Sequence, residues 1–498
     1  MLEQKQDRNK QRIEKRIFKW IGLGLLVLLL IASLIFQAPW KVITLLVIIL
    51  AACTILPKPF RKWFWLSAAA IVVAFIIWAL LPEDDEGWRT YTFDEELAVL
   101  EAKYAIPDEE NAASIYNELL KSYDSKTMHP DFLDRELDKL TLSEPWSSQK
   151  YPHFAQWLKG HESTIKTLMQ AVQKKRCRFP INVQPVVTDE LEVNRLSALK
   201  NWGLLLIRTG NNDIAEGRTD QALKKYICAL RIASHLYQCQ RMLDISVGFY
   251  IEELALIQLE RFVVEGEPTN EQMQMISDLM TDLQNNWSSD FDKGLKYDRL
   301  YWKNAFGLFY EINNEGQIRL SGNPALVMRN LFYRRRLGRY FRDKQFHRIY
   351  AVLAWFFLPS TPQKIAKIVK TTIDRYRPMS QPDFNWLKEP DKPDMRFQLN
   401  YPYMVKAAII EESEIDRYYR FFHDKYLEHI VLRRGSRLLI AIRQCQLESG
   451  AWPPNLGAIR SSAPAEAFID PAGGNEFEYE NHGERFSLFG ETANIWPK

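Results

Sequence analysis

Four ionisable side chains crowd one stretch of the chain: His423, Asp424, Glu428 and His429. Imidazoles and carboxylates grouped this way are the raw material of metal sites and of general acid–base catalysis. On a helix, residues four apart share a face, so Asp424 and Glu428 stand together while the two histidines diverge by about 120°. A metal held here would need ligands from elsewhere, and the expectation is a solvated helix face. Asp244 and Glu252, with Gly248 between them, form a second polar stripe with the same reading. His161-Glu162 opens like a zinc-protease helix, but the residue one turn on is Ile165, not a second histidine.

Other signatures are missing from the sequence. It holds no phosphate-cradling Gly-rich loop with its Lys, no Gly-x-Ser-x-Gly elbow and no Cys-x-x-Cys pair. No catalytic, cofactor-binding or metal-binding residue is assigned, and no cofactor is expected. Catalytic groups can meet only in three dimensions, so an enzyme with dispersed catalytic residues stays as an alternative. Cys177, Cys228, Cys239 and Cys445 are open to two readings, disulfides in an oxidising compartment or free buried thiols. Cys228 and Cys239 on one straight helix would lie about 16 Å apart, too far to bridge unless the chain turns between them.

The sharpest charge feature is Arg334, Arg335, Arg336, Arg339 and Arg342, interleaved with Tyr333, Tyr340 and Phe341. It reads as a surface helix leading into a buried one, with contact to anionic lipid headgroups as the functional alternative. Nucleic acid is not expected as a partner.

These residues must be positioned by elements whose pattern changes sharply along the 498-residue chain. Net charge is +3, too small to argue for a partner. Nearly all the strongly apolar sequence precedes Pro82. Residues 20–36, 38–56 and 63–81 form three apolar runs with tight polar breaks. Roughly 20 helical residues cross a hydrocarbon core of about 30 Å, so three transmembrane helices are expected, the second being short. Lys5, Arg8, Lys10, Arg12, Lys15, Arg16 and Lys19 precede the first run; the acidic group Glu83 to Glu86 follows the third. The positive-inside rule then places residues 1–19 in the cytoplasm and everything after the third run outside it. The expected setting is a bacterial inner membrane, with the bilayer as one partner and an envelope protein as a further one.

Residues 82–110 read as an acidic linker and first helix, and 111–404 as a helical domain. Within it, 153–173 reads as one helix, 190–264 as a run of helices, 270–310 as two more and 316–323 as a loop. Gly217, Ala222, Leu223, Tyr226, Ala229 and Leu230, with Gly210 upstream, resemble the second half of a tetratricopeptide repeat. The resemblance implies closely packed antiparallel helices; plain helix packing is the expected role of these residues, with a peptide groove at Gly217, Ala222, Tyr226 and Ala229 as the functional alternative. No second copy follows at that period, so one repeat-like hairpin is expected.

Residues 405–498 change character. A long helix ends at Glu448-Ser449-Gly450, followed by Trp452-Pro453, Asp470-Pro471, Gly473-Gly474 and two alternating runs around Asn481-His482-Gly483-Glu484. Those runs predict a β-hairpin. The stretch resembles the C-terminal module of the major pseudopilins of type II secretion. It also resembles the tail of large membrane proteins of planctomycete-type bacteria. More than pilin length separates it from the apolar segments, so pilus assembly does not carry over. The expected fold class is mostly α: N-terminal transmembrane helices, a large irregular helical domain and a small α+β tail. Binding or scaffolding at the envelope is the expected role.

Overall fold

The computed structural model describes residues 87–181, 183, 190–283, 286–320, 361–381, 384, 415–471, 473–491 and 494–497. Among these the chain is mostly helical, with thirteen α-helices and two three-stranded sheets.

A layer of short helices comes first: α1 (Asp94–Lys103), α2 (Ala113–Lys121), α3 (Ser125–Met128), α4 (Arg135–Ser143), α5 (Pro152–Gly160) and α6 (Glu162–Ala171). Asp124 and Asp134 cap α3 and α4, accepting from the amides of Lys126 at 3.0 Å and Leu137 at 2.8 Å. The single helix expected over 153–173 is two, broken at Gly160-His161, where His161 leaves helical geometry at φ −104°, ψ 8°.

Three long helices form the centre: α7 (Glu190–Ala215), α8 (Thr219–Tyr237) and α9 (Met242–Glu265). Gly217 turns the chain between α7 and α8 with φ +73°, a region that a Cβ makes costly. Gly210 lets α8 approach: a Cβ there would fall 2.4 Å from the Tyr226 ring. The close antiparallel pair that the small residues imply is therefore present. Then come α10 (Asn270–Asp282), opened by a Thr269–Gln272 capping box, α11 (Trp287–Gly307), α12 (Pro362–Asp374) and α13 (Ile415–Ser449).

The first sheet joins β1 (Arg89–Thr90), β2 (Tyr310–Ile312) and β3 (Ile318–Leu320), all antiparallel, with Tyr310 opposite Leu320 and Arg89 opposite Ile312. Part of the loop expected over 316–323 is thus a strand. The tail sheet joins β4 (Glu478–Asn481), β5 (Phe486–Phe489) and β6 (Asn494–Trp496). Asn481 faces Phe486 across the expected hairpin turn.

The main core runs from Ala112 to Ile440 and is built chiefly on α7, α8, α9 and α11. A second core lies under the tail, around Phe468, Phe477, Leu488 and Ile495. Helix α13 serves both. Ile415, Tyr419, Phe422 and Tyr426 enter the first core; Val431, Leu438, Leu439 and Ile442 enter the second.

The expected multi-pass membrane architecture is corrected. Among the described residues, no helix is long and apolar enough to cross a membrane. The physical reason is visible in α9, whose apolar run is interrupted by Asp244, Glu252, Glu253, Glu260 and Arg261. Each charge at bilayer depth costs about 2.5–3.5 kcal/mol or more. Segments 20–36, 38–56 and 63–81 lie outside the described residues, as does the basic start 1–19. The fold class of the described residues is accordingly a helical one with two small sheets, and it does not carry the inner-membrane and periplasmic assignments.

Candidate functional site

The two polar stripes of the sequence meet inside the core. Glu252 of α9, 0 % exposed, receives four contacts. Tyr237 Oη donates to its Oε2 at 2.7 Å, His429 Nε2 lies 3.0 Å from the same oxygen, and Arg433 Nη2 donates to it at 2.8 Å. Arg433 Nε donates to Oε1, completing a two-pronged fork. The carboxylate can only accept, so the proton of His429 sits on Nε2. Burial alone would push the Glu252 carboxyl up. Arg433 and His429 outweigh it and hold the group well below the usual carboxylate range. Burial pulls the His429 imidazole down despite Glu252, so it stays neutral around pH 7.

Sequence reasoning placed Glu252 and His429 on solvated faces, and the correction has a readable cause. Ile245, Phe249, Leu256, Leu259 and Val263 make the buried stripe of α9, and Glu252 occupies a position within it. Likewise His429 and Arg433 continue the stripe Tyr419, Phe422, Tyr426 on α13. A polar residue inside an apolar stripe is a signal that a buried partner exists. Asp424 and Glu428 do face water as expected; Glu428 pairs with Lys425 at the surface, and His423 is buried.

A second enclosed network fixes His235 of α8. Its Nε2 lies 2.7 Å from the Lys174 carbonyl and must donate, which leaves Nδ1 to accept from Tyr116 Oη at 2.9 Å. Burial pushes His235 down to about 4. Cys177, Cys228, Cys239 and Cys445 are free. Burial pushes Cys239 up to about 12, which keeps it protonated and unreactive near neutral pH.

Neither network lines two surface hollows that lie among the described residues. One, of about 620 Å³, is lined by Glu101, Asp108, Glu109, Ser114, Asn117 and Arg178 among others. Its floor is pinned by Asn111, whose Oδ1 accepts from the Arg178 amide at 2.8 Å while its Nδ2 donates to the Arg178 carbonyl at 2.9 Å. Glu101 holds the Arg178 guanidinium. The other hollow, of about 490 Å³, is lined by Asp134, Glu136, Lys139, Glu144 and Tyr151 among others. Carboxylates outnumber cations in both. Among the described residues, no group of three His, Cys, Asp or Glu side chains could hold a metal ion.

Of the expected peptide-groove residues, Ala222, Tyr226 and Ala229 are packed in the core, Tyr226 donating to Asn211 Oδ1 at 2.6 Å. Gly217 alone is at the surface. Their packing holds two helices together. Arg334, Arg335, Arg336, Arg339 and Arg342 lie outside the described residues.

No family model, curated protein or solved structure matches this chain. The likenesses to tetratricopeptide pairs, pseudopilins and planctomycete-type membrane proteins rest on the quoted residues alone.

Proposed function

We propose that the helical body is a binding scaffold rather than a catalyst, and that the hollow beside α1 receives a basic segment of a partner protein. The observation that carries this reading is the closure of the Glu252 network. Its carboxylate and imidazole are groups of the types that transfer protons in active sites, yet each is enclosed and committed to its neighbours. A catalytic base must reach the proton it removes. The open concavity offers Asp108 and Glu109, which suit Lys and Arg side chains, while Glu101 is already held by Arg178.

The test is fluorescence anisotropy of labelled lysine-rich and glutamate-rich peptides on the full chain. The basic peptide should bind and weaken at high salt. Asp108→Lys with Glu109→Lys should reduce its affinity by about tenfold or more while leaving the thermal midpoint in place. Equal binding of both peptides, or no effect of the double substitution, defeats the reading.

A further inference from the structure

The carboxylates on α11 are balanced by cations, with one exception. Asp290 pairs with Lys293 at 2.6 Å, and Asp292 pairs with Lys296. Asp298 makes no ion pair among the described residues. Its Oδ2 accepts from Tyr419 Oη at 2.6 Å, which joins α11 to the second turn of α13.

The groups around this joint come from several elements. From α13 come Tyr418 and Tyr419. Tyr376, in the turn after α12, packs on the Tyr419 ring at 4.6 Å and donates to Asp416, which also lies 3.9 Å from Arg375. From the turn before α9, Arg241 acts on Asp298 across space. On α11 itself stand Tyr297 and Arg299, the latter held by Asp374 of α12 at 2.5 Å, which Lys370 also contacts at 2.7 Å. Further along α13, burial keeps His423 below the ordinary imidazole value. Burial pushes the Asp298 carboxyl up to about 7, against the pull of the Tyr419 hydroxyl and Arg241. Burial raises Tyr376, Tyr418 and Tyr419 above the ordinary phenol value, and it also raises Asp244 of α9, which acts on Tyr418 and lies 3.5 Å from Arg195.

We propose that Asp298 and Tyr419 form a pH-sensitive joint: while Asp298 is neutral the first turns of α13 stay seated on α11, and when its proton leaves to water that seat loosens. An ionised carboxylate with no cation in ion-pair contact gains hydration by opening its surroundings. A carboxyl whose folded value lies above its unfolded value contributes stability at low pH. That contribution fades as pH rises from about 4 through about 7. The joint goes beyond the binding reading and does not depend on it.

Hydrogen exchange of the amides of residues 415–426 in the full chain, corrected for intrinsic rates, tests it. Between about pH 5.5 and about pH 8.5, protection should fall by up to about thirtyfold in the native chain. Asp298→Asn, a permanently neutral mimic, should keep its protection across the range. A native chain with constant protection, or an Asp298→Asn chain with the same slope, overturns the proposal. Should the variant misfold, carbon-detected NMR titration of the native Asp298 carboxyl decides: a midpoint near 7 supports the joint, and one near 4 removes it.

Discussion

His429 Nε2 lies 3.0 Å from Glu252 Oε2, and the same carboxylate is gripped by the Arg433 fork. One side chain of α9 is thereby tied to two of α13 and, through Tyr237, to α8. Removing one member of such a set leaves the others buried without a partner, which costs more than the set contributes as a whole.

Glu252→Ala should therefore lower unfolding stability by about 3–5 kcal/mol. Urea denaturation reads this as a lower midpoint at an unchanged slope. A loss under about 1 kcal/mol would show that the network is not enclosed in solution.

Acid should weaken the fold through His235. Its folded value, about 4, lies below its unfolded value, so the unfolded chain binds more protons between them and stability falls as pH drops. The loss from about pH 7 to about pH 4 should approach 3 kcal/mol. Glu252 adds to it in the same direction at lower pH, because its folded value is depressed. His235→Gln should be less stable at neutral pH and show a shallower stability profile between about pH 6.5 and about pH 4.

Ile495 of β6 is fully buried against Gly435 of α13, where a Cβ would fall 2.6 Å from an Ile495 methyl. Ile495→Ala should cost about 2–5 kcal/mol through the cavity it leaves. Gly435→Val should cost about 1–3 kcal/mol by overpacking. Both should speed proteolysis of the tail.

Thr269 and Gln272 satisfy each other's amides at the start of α10, at 3.2 and 2.9 Å. Thr269→Ala should remove about 1 kcal/mol, seen as a reduced thermal midpoint, and Thr269→Ser should restore most of it.

The sequence was readable wherever the signal is local. Gly217 and Gly210 marked a tight helix pair, Ser449-Gly450 marked the end of α13, and Asn481 to Glu484 marked the β4–β5 turn. Features assembled from afar were not readable. Strand β2 completes its sheet with β1, more than two hundred residues earlier, so no local pattern announces the pairing. The meeting of Glu252 with His429 depends on how α9 lies along α13, although the polar gaps in both apolar stripes hinted at it. Tyr226 and Ala229 left two readings open for a related reason. Their spacing suits close helix packing and a ligand groove alike, and only burial separates the two. The apolar runs before Pro82 carried the membrane expectation, and none of the described helices shares their character.

Helix α13 extends about 50 Å at 1.5 Å per residue over its 35 residues, with one end set in each core. The tail therefore has no clean seam. A cut anywhere from 415 to 449 strips an apolar wall from one side or the other, so recombination cannot lift the last fifty or so residues as a cassette and graft them elsewhere. Any lineage that exchanges this tail must carry the rod with it, along with the surface of α9 that grips the rod.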